Sequence, residues 1–221
     1  MTHPFKIHTP PFFHRFFLDG DRLMVTLIAA RSADGVIGIG GRLPWRIAAD
    51  WAHFARTTAG SVLLSGRESF DETGVLGQRR THVVLSRCPA ARSRLSRHID
   101  VHAAASLAEG LDVADALCTG DSNVARTVFV CGGEQVYAEA LPLAARLILT
   151  TVHRTMDIGG GGDVITRFPD DWARYFPPST LVSSVDIVEN DCEVHGADGP
   201  ATVTITLAEY CRAAQVGGAV R

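Results

Sequence analysis

Five short apolar runs constrain this chain more than any other feature: VTLIAA (25–30), SVLLS (61–65), THVVLS (81–86), TVFVCGG (127–133) and RLILTTV (146–152). Runs of this length, rich in Val, Ile and Leu and closed by turn residues, read as buried strands. Helical signals lie between them. One helix spans about Ile47 to Thr57, and a short one opens at Gly66-Arg67. SLAEGLDVADALC has Ser106 as N-cap and Glu109 three residues later, a capping box. EQVYAEALP forms a helix stopped by Pro142. Strand and helix in alternation predict an α/β fold with a mainly parallel twisted sheet and covering helices. IDVHA (99–103) adds a strand. TLVSSVDIV (180–188) and ATVTITLAEY (201–210) have no helix between them and predict an antiparallel C-terminal hairpin. Residues 31–43, with four glycines, read as a mobile loop ending in Leu43-Pro44-Trp45, and Arg87 to Arg97 as a basic, solvated loop.

This pattern defines a domain over residues 24–212 and a tail over 213–221. Residues 1–23 stand apart, with three prolines, five phenylalanines and no uninterrupted apolar stretch of the signal-peptide kind. They read as an appended arm, or as an upstream extension of a chain whose natural start is Met24. The net charge of −3 gives no bias toward nucleic acid or anionic membrane surfaces. Five scattered cysteines without metal spacing suggest reduced thiols and a cytoplasmic location.

The residues that could carry chemistry begin with Asp50. On the helix from Ile47 it shares the stripe of Ile47, Trp51 and Phe54, and a carboxylate facing a core costs several kcal/mol, as an order of magnitude, unless partnered. It is either a helix-start residue stabilised by free N–H groups or a group awaiting a ligand. VIGIGGRL (36–43) fails as a dinucleotide fingerprint, because Leu43 stands where the third glycine belongs. FVCGGEQVY (129–137) is better placed, with glycines between strand and helix where backbone N–H groups can approach a phosphate. Arg67 and Ser69, at one strand end, and Ser86 and Arg87, at another, suit a second phosphate or are simply solvated. The nine histidines show no metal spacing, and His53 reads as a surface residue.

Taken in order, VTLIAA, GVIG, LPWRIAADWAHF, SGRESF, VVLSR, FVCGGEQVY and LILTTV resemble dihydrofolate reductase over about residues 24 to 210, with LPW-x-x-x-x-D the most specific element. The resemblance implies NADPH-dependent reduction of 7,8-dihydrofolate by hydride transfer to C6 with protonation of N5. It implies that Asp50 hydrogen-bonds the pterin N3 and 2-amino group, that Thr150 bonds this carboxylate, and that Trp45 holds an ordered water nearby. Asp50 then orients and polarises the ring, and water delivers the proton. Ile28, Ala30 and Phe54 match apolar walls. Arg80, or Arg79 after a one-residue slip, matches the arginine that grips the substrate's α-carboxylate. For NADPH, the matching positions are Ala30, Ile37, Gly38, Gly132, Gly133, Glu134, Gln135, Val136 and Tyr137, with Arg67, Ser69, Ser86 and Arg87 at the adenosine phosphates. Loop 31–43 becomes the lid.

The chain departs from the family pattern in placing Glu68 and Glu134 beside the expected phosphate contacts, and in the glycine-stretched segment Met156 to Arg167. Both acids are expected to weaken the hold on cofactor. The resemblance implies a small-molecule substrate, no nucleic-acid or membrane partner, no metal, and a monomer. The alternatives are a pyrimidine reductase of riboflavin synthesis on the same fold and a non-catalytic nucleotide-binding relic. The first has no reason to keep LPW-x-x-x-x-D, and the second no need of Asp50, Trp45, Thr150 and Arg80 together.

Overall fold

The computed structural model describes residues 23–77, 79–118, 126–158 and 162–212. Residues 1–22 of the expected arm, the 213–221 tail and Gly159 to Gly161 lie outside the described residues.

The apolar runs become the middle of one sheet. β1 (Met24–Ser32) is paired in parallel with β7 (Thr127–Val130) and with β8 (Arg146–Val152). β7 continues in parallel to β4 (Val62–Gly66), then β5 (Thr81–Leu85), then β6 (Val101–Ala104). On the other side β8 meets β11 (Ala201–Cys211), which forms the antiparallel hairpin with β10 (Leu181–Val194). β3 (Trp45–Arg46) ends the sheet, whose order is β3-β10-β11-β8-β1-β7-β4-β5-β6. The expected parallel sheet with an antiparallel C-terminal hairpin is the observed one.

The main core lies between this sheet and α4 (Leu107–Leu117) and α5 (Glu134–Ala140), where Leu27, Leu64, Leu111 and Leu147 are almost fully buried. The α4 capping box forms: Ser106 Oγ accepts from Glu109 N (3.2 Å), and the Glu109 carboxylate accepts from Ala105 N (2.8 Å). α4 sits so close to the sheet that a Cβ built on Gly110 would lie 2.7 Å from Leu85 Cδ2.

Three expectations need correction. Residues 31–43 are not all loop: β2 (Val36–Ile39) pairs with β9 (Ile165–Arg167) in a small antiparallel sheet. The expected basic loop contains α3 (Pro89–Leu95), whose Ala91 and Leu95 are buried while its arginines stay at the surface. The strand expected at 99–103 begins at Val101, and Ile99 is 94% exposed.

Candidate functional site

A cleft opens at the carboxyl ends of β1, β4, β7 and β8, where open α/β sheets place their ligands. Its walls include Ile28, Ala30, Asp50, Phe54 and Thr150 on one side, and Ile37, Ser69, Gly132, Gly133 and Tyr137 on the other. Ten of the expected residues therefore meet in one cavity.

Asp50 sits in α1 (Ala48–Thr57), a helix with no buried residue. Its apolar stripe faces the cleft rather than the core: Trp51 is 52% exposed and stacks on Phe54, ring centroids 5.6 Å apart. The helix start is capped from elsewhere. Glu189 of β10 accepts from Ala48 N and Ala49 N, each at 2.8 Å, and Ile47 gives no side-chain cap. Asp50 is thus not needed as the capping acid. Its Oδ2 accepts from Trp45 Nε1 (3.4 Å), and the buried Thr150 hydroxyl also donates to it. Burial pushes its carboxyl above the usual carboxylate range, against the pull of those two bonds and of His53. Trp45 itself packs in a second core cluster with Val36, Ile47 and Ile205 and reaches the site through Asp50.

The glycine turn lies against α2 (Arg67–Thr73). Gly132 has φ +121, and a Cβ built on Gly132 or Gly133 would lie 3.2 or 3.1 Å from Ser69 Oγ. The Tyr137 hydroxyl donates to Ile28 O (2.8 Å), tying α5 to the cleft wall, and Val136 is buried behind it. Glu134 Oε2 accepts from Arg167 N (3.1 Å), and Gln135 donates to Glu139 (3.0 Å). Arg67 is held by Asp71 (2.5 Å) and Glu68 (3.3 Å). Ser86 Oγ accepts from Cys88 N (3.3 Å), and Arg87 is exposed beside it. Gly38 lies in β2 opposite Thr166. Gly38, Arg67, Ser86, Arg87, Glu134, Gln135 and Val136 are not among the cleft-lining residues.

Arg80 is 5% exposed and away from the cleft lining, donating to Thr58 Oγ1 (3.0 Å), Gly77 O (2.7 Å) and Ala55 O (2.5 Å). Arg79, the other candidate, is exposed with φ 58.

Several wall residues were not foreseen. His53 is not a plain surface residue: it lines the cleft, and its buried Nε2 has no hydrogen-bond partner. Its spacing of three from Asp50 on one helix was the available signal. His82 of β5 is 3% exposed, and its Nε2 accepts from Leu76 N (3.1 Å) at the cleft floor. Glu72 of α2 accepts from Leu43 N (2.6 Å), bridging α2 to the segment before Trp45. No local pattern announces these last two.

A family model described as dihydrofolate reductase matches residues 24–175. The chain belongs to the dihydrofolate reductase family. Among its relatives, a dihydrofolate reductase of Mycobacterium tuberculosis (strain ATCC 25618 / H37Rv) is 37% identical over 158 residues, 68% of this chain and 84% of that one. Dihydrofolate reductase type 3 of Salmonella typhimurium is 34% identical over 148 residues, 67% of this chain and 80% of that one. A solved dihydrofolate reductase from Enterococcus faecalis, complexed with NADP(H) and RAB-propyl, superposes with a TM-score of 0.63. It is 25% identical, and the match covers 86% of this chain and 97% of that one. All five cysteines are free thiols, and no helix among the described residues is long and apolar enough to cross a membrane.

Proposed function

We propose that this dihydrofolate reductase family member reduces 7,8-dihydrofolate to 5,6,7,8-tetrahydrofolate with NADPH, and that Asp50 orients the pterin. One observation supports this reading above the others. A carboxylate fixed by Thr150 and Trp45 stands on the cleft wall beside the apolar side chains of Ile28 and Phe54, with acceptor capacity left over. Two parallel N–H donors from N3 and the 2-amino group use that capacity, and their partial positive charge offsets the burial of the anion.

The residues present fit the cofactor. The Gly132–Gly133 backbone lies bare on the cleft wall where a Cβ would press against Ser69 Oγ, which leaves main-chain groups for pyrophosphate oxygens. Ala30, Ile37 and Gly38 would border the nicotinamide, residues 132–137 the pyrophosphate, and Arg67, Ser69, Ser86 and Arg87 the adenosine phosphates. When bound, NADPH supplies the hydride that reduces C6. Ile28, Ala30 and Phe54 hold the ring flat and keep water from it, and Asp50 polarises it. Water, rather than Asp50, delivers the proton to N5. Thr150 keeps the Asp50 carboxylate in one orientation. Arg80 would grip the substrate's α-carboxylate through N–H groups left over after its three internal bonds. A monomer working in the cytoplasm without nucleic acid is the setting that the small negative charge and five free thiols favour.

The test follows NADPH oxidation with dihydrofolate for wild type and Asp50→Asn. Turnover by wild type with a large loss in the variant is the expected outcome. A folded wild-type protein that oxidises no NADPH overturns the reading, and equal activity in both overturns the role of Asp50.

A further inference from the structure

The cleft contains a second titratable group that the reaction above does not use. His53 follows Asp50 by three residues on α1, so the two side chains share the helix face that lines the cavity. Its Nε2 is buried and has no hydrogen-bond partner among the described residues. A buried ring nitrogen without a partner costs stability, because the hydrogen bond it made to water is not replaced. A surface role would not leave it there.

We propose that His53 is a positioning residue for the reductase reaction, forming with Asp50 a coupled acid–base pair that sets the pH range over which the carboxylate is ionised. The proposal rests on the reductase reading above and extends it to a residue that touches Asp50 only electrostatically. Burial holds the His53 imidazole below its usual range, helped by Arg56 one turn along the helix and opposed by Asp50 and by Glu209 of β11. Facing Asp50 are Thr150 of β8, Trp45 of β3, His53, and Glu189 of β10, whose charge pushes the carboxyl upward. Tyr137 of α5 is the remaining titratable group that feels Asp50, and it stays protonated far above neutral pH. Within this set His53 is the member whose charge opposes protonation of Asp50 and whose ordinary range lies near neutrality. His53 is therefore the group placed to couple its titration to that of Asp50, and in a coupled pair the apparent values belong to neither residue alone.

Two measurements test this. The first is an NMR titration of the His53 ring in the full chain, wild type against Asp50→Asn, which requires no activity. Loss of the neighbouring carboxylate is expected to move the ring's midpoint to lower pH, and an unchanged midpoint overturns the proposal. The second is the pH profile of kcat/KM for dihydrofolate in wild type and His53→Gln, which keeps a polar side chain and removes the titration. The limb governed by Asp50 is expected to move to higher pH, because the opposing charge is gone. A variant that melts lower but whose profile superimposes on wild type has lost only packing, and overturns the proposal. Absence of dihydrofolate turnover in wild type would overturn the reductase reading instead, and the NMR comparison would still decide whether the pair is coupled.

Discussion

The Asp50 end of the cleft and the Arg67 end of the surface beyond it are built on opposite principles. At the Asp50 end the carboxylate is held from inside the protein: Thr150 is 3% exposed, Trp45 5%, and both bond it. At the Arg67 end the charged groups stand in water, and Arg67 is already held by Asp71 and Glu68, both acids of its own helix. Buried groups give geometry and selectivity because their alternatives are costly. Exposed charges give adjustable affinity because water, salt and neighbouring acids compete for them. The first end is preformed, whereas the second would have to exchange partners to take the phosphate proposed for it.

The largest effect that separates the two ends is Asp50→Asn. kcat/KM for dihydrofolate is expected to fall on the order of 100- to 1000-fold, by analogy with other preorganised polar groups, while KM for NADPH stays near wild type. The same variant should melt at a higher temperature. A carboxyl raised by burial costs stability once pH exceeds its unfolded value, and the cost is in full force above the folded one, so the neutral amide removes it at pH 7. A variant that melts lower would show that the carboxylate is compensated within the protein.

Next comes Thr150→Val, which keeps volume and removes the hydroxyl that holds Asp50. About a tenfold loss in kcat/KM is expected, again confined to the substrate side. Arg67→Ala should raise KM for NADPH by about tenfold and leave NADH unaffected, with the wild-type KM for NADPH rising with salt. The intrahelical pair is worth ~0–1 kcal/mol, so Asp71→Asn should tighten NADPH by less than about fivefold. An NADPH KM indifferent to salt and to both variants would mean the Arg67 end is not the phosphate end.

The smallest effect concerns stability at acid pH. His82 is held below its usual range by burial and by Arg80, and the Leu76 N–H can donate only to an unprotonated Nε2. The unfolded ring takes up its proton near pH 6.5 and the folded ring only at lower pH, so its contribution is complete above that range and is lost as pH falls through it. Urea melts of His82→Gln should be flatter with pH than those of wild type as pH falls below roughly 6.5.

Much of this was legible in the sequence because burial writes itself as runs. The strands that became the sheet centre are almost uninterrupted Val, Ile and Leu, and LPW-x-x-x-x-D placed Asp50 and Trp45 together. Other parts had no such signature. VIGI is four residues with a glycine, and it becomes a strand only because Ile165–Arg167 returns beside it. α3 is arginine-rich with two inward residues, too thin a stripe to announce a helix. The stripe of Trp51 and Phe54 was visible but ambiguous, since a helix facing a cleft and one facing a core have the same period. His82 and Glu72 joined the wall through partners distant from any motif around them.

The Glu189 cap on α1 has a bearing on the order of assembly. The cap joins residues 141 positions apart, from the start of the helix that carries Asp50 to the last hairpin of the chain. Contacts so far apart in sequence close late, because the loop between them must be gathered first. As synthesis proceeds from the N-terminus, the strands through β8 can emerge and pair while the Asp50 helix still lacks its anchor. A chain arrested before about residue 180 would then carry every one of the reductase's expected binding residues and still lack the cap on the helix that bears Asp50. Competence would arrive with the final hairpin, so that only a finished chain can work.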